Sequence, residues 1–112
     1  MHEFSLAQKM TEIIREKSGG LKVTAVDIEV GAVSGAVPES LSFCAKVLFE
    51  EAFGKEIKIR MHVLPAEVRC ECGNAFILET PLSPCPSCSG FVRTIILGKD
   101  VYVKSIEVDD GE

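Results

Sequence analysis

The chain runs to 112 residues, enough for one small domain in which about two-thirds of the unfolded surface can be buried. Hydrophobic residues make up 46% of it, which argues against disorder, and the formal net charge of −5, with the acidic end Glu107-Val108-Asp109-Asp110-Gly111-Glu112, disfavours nucleic acid as a partner. No apolar run approaches the roughly 18 residues of a membrane span, no basic stretch leads into an apolar one as in a signal peptide, and five cysteines without such a signal fit the reducing cytoplasm.

Residues 5–17 read as a helix with an apolar stripe at Leu6, Met10, Ile13 and Ile14, running out at Lys17. Ser5 with Gln8 has the pattern of a capping box, and Ser18-Gly19-Gly20 ends the helix. A strand over 21–30 follows. Val26, Ile28 and Val30 alternate with Asp27 and Glu29, while Leu21, Val23 and Ala25 alternate in the opposite phase, so a bulge or a late start is expected near Ala25. Small residues from Gly31 to Val37 form a loop. Pro38 suits a first helical position, and Leu41, Cys44, Ala45, Leu48 and Ala52 make a second apolar stripe, broadened by Phe43, Val47, Phe49 and Phe53 and closed by Gly54. A strand over 56–64 places Ile57, Ile59, Met61 and Val63 on one face and Lys58, Arg60 and His62 on the other, which makes His62 a solvated strand histidine. Residues 68–90 are a cysteine segment rich in Pro, Ser and Gly. Phe91–Leu97 is a strand, Gly98-Lys99-Asp100 a turn, and Val101–Val108 a last strand with a phase change near Lys104-Ser105. The order predicts an α+β fold with helices on one face of a small sheet.

The cysteine segment carries Cys70-x-Cys72, twelve residues, then Cys85-x-x-Cys88. Zinc takes four ligands in a tetrahedron and accepts thiolate in every position, so two close pairs joined by a loop are what such a site needs. Cys85-Pro86-Ser87-Cys88 lets both sulfurs face one point, with Gly90 relieving the turn, and Cys72-Gly73 fits the same pattern. Four protein thiolates leave no position for water, so the zinc is expected to be structural and the chain not an enzyme. An iron site uses the same ligand type. Cys44 lies on a helical apolar stripe and reads as a small buried hydrophobe.

The amino terminus offers a different donor set. The Met1 amine, the His2 amide nitrogen and the His2 imidazole can close adjacent small rings around one ion, and the Glu3 amide can complete a plane. Nitrogen donors in a plane suit nickel(II) or copper(II) and do not suit zinc. The α-amino group, with an unperturbed pKa of about 8, can give up its proton to a competing metal.

Met1-His2-Glu3-Phe4-Ser5-Leu6-Ala7, Glu29-Val30-Gly31, Pro38-Glu39-Ser40-Leu41-x-Phe43, Cys72-Gly73-x-x-Phe76, Cys85-Pro86-x-Cys88 and Ile106-Glu107-Val108 together resemble the HypA/HybF-type nickel metallochaperones of hydrogenase maturation, over essentially the whole chain. The resemblance implies two helices on a three-stranded sheet with a zinc-ribbon-like four-cysteine domain inserted before the last strand. In residue terms it implies a nickel-binding unit over 1–67, completed by 99–112, and a zinc unit over 68–98. It also implies that His2 is the essential nickel ligand, with the Met1 and Glu3 backbone nitrogens, and that Cys70, Cys72, Cys85 and Cys88 hold zinc. Members of the family work with a nickel-handling GTPase, deliver nickel to the hydrogenase large subunit, and in some cases serve urease. The chain departs from the pattern at one point: Arg69 stands where the family commonly has its first cysteine, so Cys70 and Cys72 have one residue between them instead of two. In an extended segment residues i and i+2 point to the same side, and both sulfurs can still reach one ion.

The rival expectations are distinct. A zinc-ribbon adaptor that only joins proteins needs the cysteines and not His2. A thiol oxidoreductase at Cys85/Cys88 predicts a reactive cysteine and no stably held metal. A nucleic-acid-binding ribbon predicts salt-sensitive binding, against the acidic balance.

Overall fold

The computed structural model describes residues 2–109. In chain order these form α1 (Glu3–Ser18), β1 (Lys22–Gly31), α2 (Pro38–Phe53), β2 (Lys58–Leu64), β3 (Ala66–Cys70), β4 (Ala75–Leu78), β5 (Arg93–Leu97) and β6 (Val101–Asp109). The strands make two three-stranded sheets, ordered β2-β1-β6 and β4-β3-β5. The fold is α+β as expected, with the cysteine segment building the second sheet.

Helix α1 begins at Glu3 and not at Ser5. His2 is the extended residue before it (φ −93°, ψ 103°), and the first helical bond runs from the Leu6 N–H to the His2 carbonyl at 3.1 Å. Ser5 therefore lies inside the first turn and the expected Ser5/Gln8 box does not cap the helix. The buried stripe keeps Met10 and Ile14 of the predicted one, with Leu6 packed beside them, but takes in Ala7 and Thr11 in place of Ile13. Ala7, Met10, Thr11 and Ile14 are buried, whereas Ile13 is 46% exposed. Ala7 is small enough to bring the helix close to its neighbours, and Thr11 satisfies its hydroxyl by donating to the Ala7 carbonyl at 2.8 Å.

Strand β1, helix α2 and strand β2 form a parallel crossover unit, with Ala25 opposite Lys58 and Gly31 opposite Leu64. Pro38 opens α2, and the Gly54 N–H closes it on the Glu50 carbonyl at 3.0 Å, both as predicted. Strand β6 runs antiparallel on the other side of β1. Its register slips between Val23 and Ala25 and again between Asp27 and Ile28, where Lys104 is the extra residue. These are the two phase changes visible in the sequence. The central position of β1 buries Val23, Val26, Ile28 and Val30 against Ala7, Met10 and Ile14 of α1 and Leu41, Ala45 and Phe49 of α2. Phe49 is completely buried and meets Phe53 edge-on at 6.0 Å between centroids. Phe43 and Val47, expected to broaden the stripe, are instead 69% and 45% exposed.

The second sheet was not foreseen as a sheet. In β3, Ala66, Val68 and Cys70 point inward and are buried, alternating with Glu67 and Arg69. The radius of gyration is 17.2 Å with extents of 57 × 25 × 18 Å. A single compact body of this length would have a radius of about 13 Å, so the two sheets stand end to end.

Backbone bonds hold the seam between them. The chain crosses it at Pro65 and again at Gly98-Lys99-Asp100. The end of β1 clasps both crossings: the Gly31 N–H donates to the Asp100 carbonyl at 2.8 Å, the Ala32 N–H to Leu64 at 2.9 Å, and the Val33 N–H to Gly98 at 3.0 Å. A Cβ on Gly31 would lie 2.1 Å from the Gly98 carbonyl oxygen, and one on Gly98 would lie 2.6 Å from the Pro65 carbonyl oxygen. Gly98 also has φ +97°, a backbone region that favours glycine.

Candidate metal centre and the amino-terminal site

The four cysteines singled out by spacing converge on one point: the sulfurs of Cys70, Cys72, Cys85 and Cys88 all lie within 4.8 Å of one another. Cys70 and Cys88 are 3.4 Å apart and Cys72 and Cys85 3.7 Å. A tetrahedron with metal–sulfur bonds of about 2.3 Å has edges of about 3.8 Å, so the spacing matches a four-thiolate ion. A disulfide, at about 2.05 Å, is excluded by the same distances.

The Cys70-x-Cys72 pair comes from a turn that follows the last residue of β3. The Gly73 N–H donates to the Cys70 carbonyl at 2.9 Å, with Gly73 at φ +97°. Arg69 donates from Nη1 to the Gly73 carbonyl at 3.3 Å and braces that turn. At the other pair, the Ser89 N–H closes on the Cys85 carbonyl at 2.8 Å and Ser89, not Gly90, takes the positive φ of 61°. Gly90 serves closeness instead. Its N–H donates to the Cys88 sulfur at 3.3 Å, and an added Cβ would stand 3.2 Å from that sulfur. Asn74 donates to the Cys85 sulfur at 3.8 Å.

The thiols of Cys72, Cys85 and Cys88 influence one another. Burial pushes the Cys85 thiol up, but the N–H groups of Cys88 and Ser87 outweigh it and bring it down to about 6. At Cys88 the Gly90 N–H favours the thiolate, yet the neighbouring sulfurs of Cys70 and Cys72 push it up to about 12. Cys72 is likewise raised by Cys70, against the Asn74 backbone. The Cys85 thiolate forms readily, whereas Cys72 and Cys88 are held back by the sulfurs beside them. A divalent cation among them is what permits all four to ionise.

Two features of this module were missed from sequence. Arg93 lies against Phe76 and Phe91, at 6.0 and 5.8 Å from the ring centroids, and donates to the carbonyls of Pro81 (2.8 Å) and Ser83. It pins the loop before Cys85 to β5. The Glu71 N–H donates to the Val92 carbonyl at 3.0 Å and ties the first cysteine turn to the same segment.

At the other site, Met1 lies outside the described residues. The exposed His2 imidazole makes no capping bond. The amides of His2 and Glu3 precede the first helical hydrogen bond, so the helix uses neither. The Glu3 carboxylate accepts the Val37 N–H at 3.2 Å, and that bond, with its own amide, holds its pKa below the ordinary value. His62 sits as predicted on the polar sheet face, 3.1 Å from Asp27. Asp27 also takes both arms of the Arg60 guanidinium, at 2.9 and 3.0 Å, and the Ser105 hydroxyl at 3.2 Å. Arg60 above all, then His62, keeps Asp27 well below the usual carboxylate range.

The family model described as "Hydrogenase/urease nickel incorporation, metallochaperone, hypA" matches residues 1–108. The hydrogenase maturation factor HypA of Geotalea uraniireducens is 34% identical over 110 residues, 97% of this chain and 100% of that protein. The same factor of Dehalococcoides mccartyi strain 195 is 30% identical over 114 residues, covering 98% and 96%. The fold is similar to the solution structure of the Ni metallochaperone HypA from Helicobacter pylori, with a TM-score of 0.68 at 19% identity over 96% of this chain and 97% of that one. No helix among the described residues is long and apolar enough to cross a membrane.

Proposed function

This chain belongs to the HypA family of nickel metallochaperones of hydrogenase maturation, and we propose that it carries nickel(II) as cargo on its first three residues while zinc holds the cysteine module together. The nickel ligands are the Met1 amine, the amide and imidazole nitrogens of His2, and the Glu3 amide. The observation that supports this most is the position of those amides ahead of the first helical bond, which runs from Leu6 to His2. Each can exchange its proton for a metal without costing the helix a hydrogen bond. The positive end of α1 favours amide anions, and two of them neutralise the ion's charge.

Zinc at Cys70, Cys72, Cys85 and Cys88 would join the two cysteine turns and contribute roughly 10–16 kcal/mol toward folding a segment with little core of its own. We read residues 1–67 with 99–112 as the nickel unit and 68–98 as the zinc unit, except that Ala66 and Glu67 go with the zinc unit as part of β3. The chain acts in the cytoplasm without catalysing a covalent step. It passes nickel by ligand exchange to a nickel-handling GTPase and the hydrogenase large subunit, with the urease pathway a second destination, and binds neither nucleic acid nor membrane.

Nickel titration of tag-free, zinc-loaded protein beside His2→Ala tests the reading. One-to-one binding with the absorption of planar nickel, lost in the variant, is the expected result. Equal binding by both proteins, or none by either, leaves a zinc-ribbon adaptor as the better account.

A further inference from the structure

We propose that the Glu3 side chain is a positioning residue for the terminal nickel chelate and not one of its ligands. This rests on the reading above that the His2 and Glu3 nitrogens hold the ion. Glu3 contributes its backbone nitrogen to that chelate, giving up the bond from this amide to its own carboxylate, while the carboxylate keeps the Val37 N–H at 3.2 Å.

The anchor at the far end of this bond is firm. Val37 is the residue before α2, and its own carbonyl accepts the Leu41 N–H at 2.9 Å. The loop leading to it is fixed at its start by Gly31, Ala32 and Val33, bonded to Asp100, Leu64 and Gly98. It is fixed near its end by the Ala36 N–H on the Ser34 hydroxyl at 3.2 Å. Glu3 is thus tied to a loop that both sheets hold in place. Helix ends fray unless secured, and α1 has no side-chain cap at His2. The Glu3–Val37 bond supplies the missing restraint from outside the helix. It limits the conformations the first residues must give up when they close around the ion, which is how preorganisation raises affinity.

The test compares nickel titrations, with nickel chloride as the probe, of zinc-loaded wild type, Glu3→Gln, Glu3→Ala and His2→Ala. Thermal denaturation and zinc content serve as controls, and the Val37 amide is followed by ¹⁵N NMR. Glutamine keeps an oxygen that accepts the Val37 N–H; alanine does not. The expected result is affinity close to wild type for Glu3→Gln and about three- to tenfold weaker for Glu3→Ala, the range of one solvent-exposed hydrogen bond. The planar-nickel spectrum and zinc content should be unchanged in both, and the Val37 amide signal should move only in Glu3→Ala. Equal weakening in the two Glu3 variants, an altered nickel spectrum in either, or no weakening in Glu3→Ala overturns the proposal. Nickel binding that survives His2→Ala instead overturns the terminal site itself, so the two failures are told apart.

Discussion

Replacing Gly31 by alanine tests the seam that joins the two sheets. The new methyl would lie 2.1 Å from the Gly98 carbonyl oxygen and 2.2 Å from its carbon, and both are backbone atoms that cannot swing aside. Gly98 cannot retreat freely, because it is itself packed on Pro65 and Ala66. The strands must part, and the bonds from Gly31 to Asp100 and from Val33 to Gly98 are lost or stretched. Two backbone hydrogen bonds at about 1 kcal/mol each, with some groups left unpaired, give a loss of about 2–4 kcal/mol. For a chain of this size that is a fall in melting temperature of about 8–20 °C. Urea and thermal denaturation of the zinc-loaded protein, followed by circular dichroism, measure it. Gly35→Ala is the control. Gly35 has φ +87° but nothing within 4 Å of an added Cβ, so only the conformational cost of roughly 1–2 kcal/mol applies there. A Gly31→Ala protein as stable as wild type would refute the close contact at the seam.

Stripping the metal with a strong chelator is expected to unfold β3, β4 and β5 while α1 and α2 persist, because the buried residues of the cysteine module are few and two of them are Cys70, which ends β3, and Cys85, in the segment between β4 and β5. Amide spectra would show residues 66–97 collapsing toward random-coil shifts; an unchanged spectrum contradicts a folding role for the ion. Asp27 links stability to pH. Its folded pKa lies below the unfolded value, held there by Arg60 and then His62, so its contribution is complete above the ordinary carboxylate range and drains away as pH falls through and below it. Asp27→Asn should therefore be less stable than wild type at neutral pH, with the gap narrowing as pH falls below about 4. A gap that stays constant or widens on acidification contradicts the ion-pair account.

The sequence carried the ends of α2 and the strand bulges well, because those features are set locally. Pro38 and Gly54 bracket α2 through their own backbone restrictions. The phase changes near Ala25 and Lys104 show directly as the two register slips against β1. The four cysteines were legible as one site because a metal needs all of them at a point, whatever the intervening turn. Three things were less legible. The α1 stripe was placed on Leu6, Met10, Ile13 and Ile14; Met10 and Ile14 are buried and Leu6 packs on the core, but Ile13 is exposed, since hydropathy alone does not rank small Ala7 as the residue that sets close packing. Strand β3 was hidden because Cys70 was read only as a ligand, although Ala66, Val68 and Cys70 alternate with Glu67 and Arg69 as a strand requires. The Gly31–Gly98 contact and the Glu3–Val37 bond join residues far apart in sequence, so no local pattern announces them.

X-ray absorption at both metal edges, on one sample loaded with zinc and one equivalent of nickel, tests the central claim most directly. Four sulfurs around zinc at about 2.3 Å, with only nitrogen and oxygen neighbours in a planar array around nickel, are what the two-site account predicts. Sulfur scattering at the nickel edge would place the cargo in the cysteine cluster and contradict it.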